Sequence, residues 1–421
     1  MSDEELQPIK GMSDLGPPDI QLWQQLESSA RDVLQLYGFQ EVRTPIVEKA
    51  AVFVRSLGDG TDVVQKEMYT LTSRDGKDQY AIRPEGTAGV IRYVASLGQE
   101  AQGARFYYLG PMFRGERPQK GRRRQFHQLG AEAIGPSSPA SDAEMIALHA
   151  HLLRNWGLKD FRISLNTRGL PEDRLAVQQG LSAALAPHAA QLCEECQRRL
   201  QANVLRVLDC KNEACKAIVA SVPPVTAFMA PESRAYLDEV VRLLRLLELE
   251  VTVNPALVRG LDYYLHTVWE IAHPALGAQD AIAGGGRYRL TFGGREVEGV
   301  GFAIGLERAI MAVQHDVPAA PPARRQAAWI VSLGDRAFEE NLRLLQTLRQ
   351  HGVASGMDLG RRSMKAQMRA ADRSLSAFVV VRGDSELDKG TFMLKDLGTG
   401  QQVEVELPEL IERLRPRVVS L

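Results

Sequence analysis

Two hydrophobic periods alternate along the chain. Ile20, Trp23, Leu26, Ala30, Val33, Leu34 and Tyr37 recur at helical spacing, which predicts a helix capped by Asp19 and ended by Gly38. Phe39 to Val42 predicts a short strand stopped at Thr44-Pro45. That helix carries a stripe broad enough for a core or for a dimer seam, and the pattern does not choose. Strands are expected at Glu67–Leu71 and Gln79–Ile82, with a helix from Ala88 to Ser96. Two more strands, from Phe106 to Leu109 and from Gln125 to Ile134, flank a Gly- and Pro-containing loop and read as an antiparallel hairpin. Ser141 to Trp156 predicts a helix with a Ser141/Glu144 capping box. Phe161 to Leu165 is a strand.

From Gly169 to about Glu250 the period is helical, Leu- and Ala-rich, and reads as an inserted module. Strand character returns at Glu250–Val253 and Leu265–Ala272. Gly284-Gly285-Gly286 reads as a turn. Val300, Phe302 and Ile304 alternate as on a strand, and after Gly305 the spacing of Leu306, Ala309, Ile310 and Val313 becomes helical. Asp316 to Gln326, DVPAAPPARRQ, reads as a linker. Beyond it strands and helices alternate, which predicts a small α/β domain with a mixed sheet.

Composition narrows the class. The 421 residues are 44% hydrophobic and 24% charged, with formal net charge −1, so any nucleic-acid contact must be local. No apolar run reaches the ~20 residues of a membrane span. The start, MSDEELQPIKGMSD, is acidic and unlike a secretory signal, so a cytoplasmic protein is expected. All four cysteines, Cys193, Cys196, Cys210 and Cys215, fall in one short segment. In a cytosolic chain that clustering suits a tetrahedral zinc site, although the second pair is wider than a usual knuckle, and four free thiols are the alternative.

The charge is concentrated in the hairpin loop, where Arg114, Arg117, Lys120, Arg122, Arg123 and Arg124 face the single acid Glu116. Such a cluster suits a polyanion, or is a solvated loop. Glu85 sits at a strand-to-helix junction, to present its carboxylate to a site or to cap the helix. Arg308, in the first turn of a helix, opposes the helix dipole and calls for an anionic partner. Arg361, Arg362, Lys365, Arg369 and Arg373 form a second basic segment, an RNA footprint or a solvated face.

Together these segments resemble the histidyl-tRNA synthetase family of class II aminoacyl-tRNA synthetases, over nearly the whole chain. The helix and strand ending at Thr44-Pro45 look like class II motif 1, Phe113-Arg114-Gly115-Glu116 like motif 2, and Gly305-Leu306-Glu307-Arg308 like motif 3. LVRGLDYY at Leu257–Tyr264 and AGGGRY at Ala283–Tyr288 are specific to the histidine enzymes, and together with RPEGT and ERPQKGR they make chance agreement negligible. The resemblance implies an α+β fold: an antiparallel-sheet catalytic core with an inserted helical domain and a C-terminal α/β anticodon-binding domain. The expected boundaries are 1–168 and 251–315 for the core, 169–250 for the insert, 316–326 for the linker and 327–421 for the anticodon-binding domain. It also implies a homodimer.

The implied reaction joins L-histidine to tRNA-His through histidyl-adenylate, with ATP and Mg²⁺. By resemblance Arg259, Arg114 and Arg308 are catalytic. Glu85, Gly86, Thr87, Gln128, Glu132, Arg259, Tyr263 and Tyr264 bind histidine. Arg114, Glu116, Arg122 and Arg308 bind ATP. Gln119, Arg123, Arg361 and Arg362 are expected on tRNA. Two departures stand out. After Tyr288 the family's Asp-Gly is missing and Arg289–Phe292 reaches Gly293-Gly294 early, which leaves the placement of Tyr288 open. Arg382 replaces a commonly apolar residue. The cysteine quartet occurs in only part of the family. The rival readings are a regulatory subunit of ATP phosphoribosyltransferase, a paralogue that typically lacks the C-terminal domain, and a module that senses uncharged tRNA.

Overall fold

The helix α1 (Asp19–Leu36) buries Trp23, Leu26, Ala30, Val33 and Leu34, so its stripe feeds the chain's own core. Pro18 rather than Asp19 occupies the cap, and Asp19 becomes the first helical residue, where its charge meets the positive end of the helix dipole. The chain reverses at Gly38 (φ 76°), and the Phe39 N–H donates to the Leu34 carbonyl at 3.1 Å.

The structure, a computed structural model, describes residues 6–258, 263–277, 280–317 and 326–415. It divides into two units, Met1–Ala319 and Ala320–Leu421. The first unit contains strands β1 (Gln40–Glu41), β2 (Val47–Lys49), β3 (Thr70–Thr72), β4 (Gln79–Ile82), β5 (Arg105–Phe113), β6 (Gln125–Ile134), β7 (Arg162–Thr167), β8 (Thr252–Val253), β9 (Tyr264–Ala272), β10 (Ala281–Phe292) and β11 (Arg295–Gly305). Eight form one sheet in the order β1-β5-β6-β11-β10-β9-β7-β8, antiparallel except at its two outer pairs. β2, β4 and β3 form a small antiparallel sheet. Helices α2 (Ala50–Leu57) and α3 (Thr87–Leu97) pack with Met112, Tyr264 and Tyr288 in one apolar cluster. α1, α4 (Pro139–Asn155), α8 (Pro231–Leu246) and α9 (Leu306–Asp316) share another with Trp269 and Phe302.

Several local expectations change. Ser138, not Ser141, caps α4, because Pro139 fits the first helical turn, where no N–H is needed. Glu144 is then free of a capping box and pairs with Arg105 at 2.7 Å. Residues Val63–Glu67 form a π-helical turn instead of a strand start. The glycine triplet lies inside β10. A Cβ on Gly286 would meet the Tyr264 ring at 2.6 Å, and one on Gly285 would meet Trp269 at 2.5 Å, so packing rather than turning requires glycine there. Arg289–Phe292 extends β10 into a tight hairpin at Gly293-Gly294, both with positive φ, and Tyr288 is buried. Residues 169–250 contain α5 (Asp173–Leu185), α6 (Glu194–Ala202), α7 (Glu213–Ser221) and α8.

In the second unit, strands β12 (Gln326–Ser332), β13 (Ser355–Met357), β14 (Ser376–Arg382), β15 (Phe392–Asp396) and β16 (Gln402–Val405) form a mixed sheet in the order β13-β12-β14-β15-β16. Its first three strands are parallel. The short strand β13 and the helix Asp384–Lys389 escaped the pattern reading because each is too short to show a period. Arg382 lays its guanidinium 4.3 Å from the Phe392 ring centroid, which explains a cation at a position that is commonly apolar.

One buried ion pair ties helices to the sheet. Arg287 on β10 donates to Asp142 on α4 through Nε at 2.8 Å and Nη2 at 2.7 Å, and the Tyr236 hydroxyl on α8 donates to the other Asp142 oxygen at 3.0 Å. Removing one partner strands the other's charge in the core. Asp142→Ala is expected to cost about 3–5 kcal/mol in urea unfolding followed by tryptophan fluorescence, and Asp142→Leu combined with Arg287→Met should recover most of it. A loss under about 1 kcal/mol for the single variant would mean that the pair does not hold these layers.

Candidate active site and metal centre

The site begins with the β5–β6 hairpin. Its register pairs Phe113 with Gln125, which leaves Arg114 to Arg124 as the cationic loop. β6 also pairs with β11, setting Glu132 opposite Gly301 and Gln128 opposite Gly305. Strand alternation puts Gln128 and Glu132 on one face, about 13 Å apart along the strand. A cavity of about 460 Å³ opens over that face. It brings together Glu85, Thr87, Gln128, Glu132, Tyr263 and Tyr264, and also the expected phosphate ligands Arg114, Glu116, Arg122 and Arg308. Arg123 lines it too.

Glu132 is fully buried. Its Oε1 accepts from the Thr87 hydroxyl at 2.7 Å, while Oε2 neighbours the Tyr288 hydroxyl without a well-formed hydrogen bond among the described residues. Any Cβ at position 301 would overlap Oε2, so Gly301 makes room for this carboxylate. Burial pushes its pKa up to about 8. Gln128 Oε1 is likewise buried and without a hydrogen-bond partner among the described residues, and the buried hydroxyls of Tyr108 and Tyr288 lie beside Thr87 and Glu132. The Tyr108 ring fits between Gly86 and Gly130, where a Cβ would strike it, so Gly86 shapes the wall and offers the pocket no side chain. Tyr263 packs 4.6 Å from Tyr264 and 6.0 Å from Tyr288, ring centroid to centroid.

Glu85 both caps the helix and lines the cavity. Its carboxylate accepts from the Thr87 and Ala88 N–H groups at 2.8 and 2.7 Å at the start of α3, and it also lines the cavity. Burial raises its pKa, and the two N–H donors oppose that rise. Arg114 donates to the Pro84 carbonyl at 2.9 Å, with its guanidinium 5.2 Å from the Phe126 ring centroid. Arg308 donates to the carbonyls of Gly121 and Ala281 at 2.9 and 2.6 Å, which partly answers its adverse helix position. Arg122 pairs with Glu116 at 3.2 Å.

Gln119 lies outside this cavity, on the exposed loop. Arg259 lies outside the described residues. In the second unit Arg361 pairs with Asp335 at 2.7 Å and stacks on Phe338, and Arg362 pairs with Asp358 at 2.5 Å, so local acids partly neutralise that basic segment.

Sequence reasoning missed several residues at the cavity. Glu270 faces it from β9, opposite Gly284. Glu307 holds the start of α9 to β6, where it accepts from the His127 N–H at 2.9 Å and faces His127 Nδ1 at 3.0 Å. Asp62, Arg206 and Asp209 also line the cavity, the last two from the inserted module. Glu307 lies in the motif 3 segment but was given no role there, and no spacing marks Glu270, Asp62, Arg206 or Asp209, because they arrive through tertiary packing. Away from the cavity, the four cysteine Sγ atoms lie within 4.8 Å of one another, close to the ~3.8 Å separations of a tetrahedral Zn–S₄ site. Backbone N–H groups of Cys193 and Asn212 donate to Cys215 Sγ at 3.2 Å and Cys210 Sγ at 3.4 Å. The donor set therefore fits a soft, tetrahedral cation.

A mainly antiparallel sheet with a hairpin of this kind, and with a last strand that runs into a Glu-Arg helix start beside it, places the catalytic unit among class II aminoacyl-tRNA synthetases. Residues 11–309 match the family model described as histidyl-tRNA synthetase, and residues 327–417 match an anticodon binding domain. The chain belongs to the histidyl-tRNA synthetase family. It is 42% identical over 414 residues to a histidine--tRNA ligase of Halothermothrix orenii, covering 97% of this chain and 99% of that one. A histidine--tRNA ligase of Bacillus cytotoxicus is 43% identical over 406 residues, covering 94% and 96%. The crystal structure of apo S. aureus histidyl-tRNA synthetase superposes with a TM-score of 0.80 at 32% identity, covering 97% and 99%.

The raised pKa of Glu132 has a measurable sign. Between its ordinary value near 4.5 and about 8 the folded, ligand-free protein holds a proton that the unfolded chain has lost. Its contribution to stability is therefore full below about 4.5, falls as pH rises, and levels off above about 8. Relative to Glu132→Gln, the wild type should lose up to about 1.4 kcal/mol per pH unit across that window in urea unfolding. A stability difference that does not vary with pH would mean that the carboxylate is already ionised in the fold.

Proposed function

We propose that the chain is a ligase that activates L-histidine with ATP to histidyl-adenylate and pyrophosphate, then transfers histidine to the 3′ end of tRNA-His. The observation that carries this reading is a single cavity that holds both a fully buried carboxylate, Glu132, and the cations Arg114, Arg122 and Arg308. An amino acid with a polar ring suits the first and a triphosphate suits the second.

The chemistry follows from charge and geometry. Glu132 and Tyr264 hold the imidazole nitrogens, and Glu85, Thr87 and Gln128 accept from the α-ammonium; Tyr263 and Gly86 complete the wall. Buried polar groups reject analogues that leave them unpaired by ~10⁴ or more, which a purely apolar pocket cannot do. Arg259 and Arg114 neutralise the α-phosphate as the histidine carboxylate attacks it, and Arg308 holds the outer phosphates. Glu116 and Arg122 complete the nucleotide side. Magnesium arrives as part of the ATP substrate and neutralises phosphate charge. The protein's work is to hold the reactants in line and to offset charge, with little covalent chemistry of its own. Gln119 and Arg123 face the tRNA acceptor end, and Arg361 and Arg362 its anticodon arm. The cysteine quartet holds a structural zinc ion.

The protein works as a homodimer in the cytoplasm. The exposed apolar side chains Ile46, Val47 and Leu71 around the small sheet support a partner surface, and among the described residues no helix is long and apolar enough to cross a membrane. The match of residues 327–417 to an anticodon binding domain speaks against the regulatory-subunit reading.

Aminoacylation of bulk tRNA with labelled histidine tests the activity directly; charging with another amino acid, or none, would refute it. Glu132→Ala should raise KM for histidine by about 10²-fold or more, on the scale of a lost buried polar partner, while KM for ATP changes little. An equal loss for both substrates would count against the assignment. Arg259→Ala should slow histidine-dependent pyrophosphate exchange by roughly 10³-fold. Near-normal exchange would remove Arg259 from the mechanism.

A further inference from the structure

The inserted module touches the active-site cavity at two places. The first is the turn Val204–Val207, which follows α6 and precedes Cys210. There Arg206 Nη2 lies 2.9 Å from Asp62 Oδ2. Asp62 precedes the π-helical turn Val63–Glu67, and the Glu67 carbonyl at the end of that turn accepts from the Gly115 N–H at 2.5 Å, next to Arg114. A short chain of contacts thus runs from the module to the phosphate side of the cavity. The second place is Val258, which packs against the module's own apolar cluster and is the residue before Arg259. The two contacts reach the segments that carry both α-phosphate arginines.

What holds the module's touching turn in shape is local. Its apolar cluster joins Val204, Val207 and Leu208 directly to Cys196, Cys210 and Cys215. The Arg199 guanidinium donates to the Arg206 carbonyl at 3.1 Å, and the Cys210 N–H donates to the Val207 carbonyl at 3.2 Å. This apolar cluster is small, and α6 presents only one buried residue, Cys196, to it. A core of that size is commonly stapled by metal or disulfide, and the four cysteines are all free thiols. A tetrahedral ion here would join the start of α6, at Cys193 and Cys196, to Cys210 and Cys215, closing the loop that presents Arg206.

We propose that the cysteine-bound zinc braces the loop Val204–Cys210 as a wall of the active site, and that Arg206, through Asp62, positions the segment carrying Arg114. The proposal rests on the zinc reading given above, and it adds that the metal acts on catalysis from outside the cavity. Arg206 is a positioning residue in it, and the metal takes no part in the chemistry.

The test uses the full-length protein. Elemental analysis after purification without chelators should give about one zinc per chain. Less than half of that overturns the zinc reading alone. Hydrogen exchange is then compared before and after a mercurial strips the metal in the presence of a chelator. Exchange should rise in residues 193–215 and also in 62–67 and 113–116. A rise confined to the module, with the zinc reading intact, overturns the brace. The latch is tested separately by charge reversal. Arg206→Asp should raise KM for ATP about 3- to 5-fold, the scale of a partly exposed ion pair, with kcat within about 2-fold of wild type. Adding Asp62→Arg to that variant should restore most of the loss, which a merely structural defect would not do. An additive double variant, or a wild-type KM in Arg206→Asp, overturns the positioning role whatever the zinc content proves to be.

Discussion

The structure depends most on one constraint, the burial of Glu132 on a strand that is paired on both sides. β6 runs between β5 and β11, so its register is fixed twice, and the side chains facing the cavity cannot slip by one residue without turning to the other face. Gly301 and Gly130 then become necessities of packing. One leaves room for the Glu132 carboxylate and the other for the Tyr108 ring. Among the described residues Oε1 of this carboxyl is held by the Thr87 hydroxyl and Oε2 makes no well-formed hydrogen bond, a costly arrangement for a fully buried group.

The same sheet separates two kinds of chemistry. Along β6, Gln128 lies opposite Gly305, one turn before Arg308, while Glu132 lies deeper, opposite Gly301. Arg114, Arg122 and Arg308 come from the hairpin loop and the start of α9, and Thr87, Tyr264 and Tyr288 from α3, β9 and β10. Glu307 locks this division in place, since it fastens the start of α9 to the His127 backbone and ring. Behind the sheet, the fully buried pair Asp142–Arg287 holds α4 and β10 together. Tyr288 is the residue next to Arg287, on the opposite face, so the pair also fixes the strand that carries a wall of the pocket.

The inserted module is more than an appendage to this core. Its apolar cluster is small and contains three of the four cysteines, and its Arg206 reaches across to Asp62. An exposed ion pair is weak by itself. Its effect depends on how firmly its two ends are held, and the cysteine cluster holds one of them.

Much of this was legible in the residues. Helical spacing gave α1 and α9, strand alternation gave the hairpin and β11, and the cysteine spacing marked a metal-type cluster, because each of these signals is local. The family motifs marked Glu85, Thr87, Glu132 and Tyr264, which the cavity does bring together. Other features were not legible. The glycine triplet read as a turn and is mid-strand, since its reason is the Tyr264 and Trp269 rings packed against it from β9. Tyr288 could not be placed past a shortened segment until β10 was seen to continue through it. Glu270, Asp62 and Arg206 carry no local mark. The sequence by itself determined which residue types were available and the period of each segment. The tertiary structure decided which polar atoms were left buried and unpaired, because that depends on strand register and on packing between residues far apart in the chain.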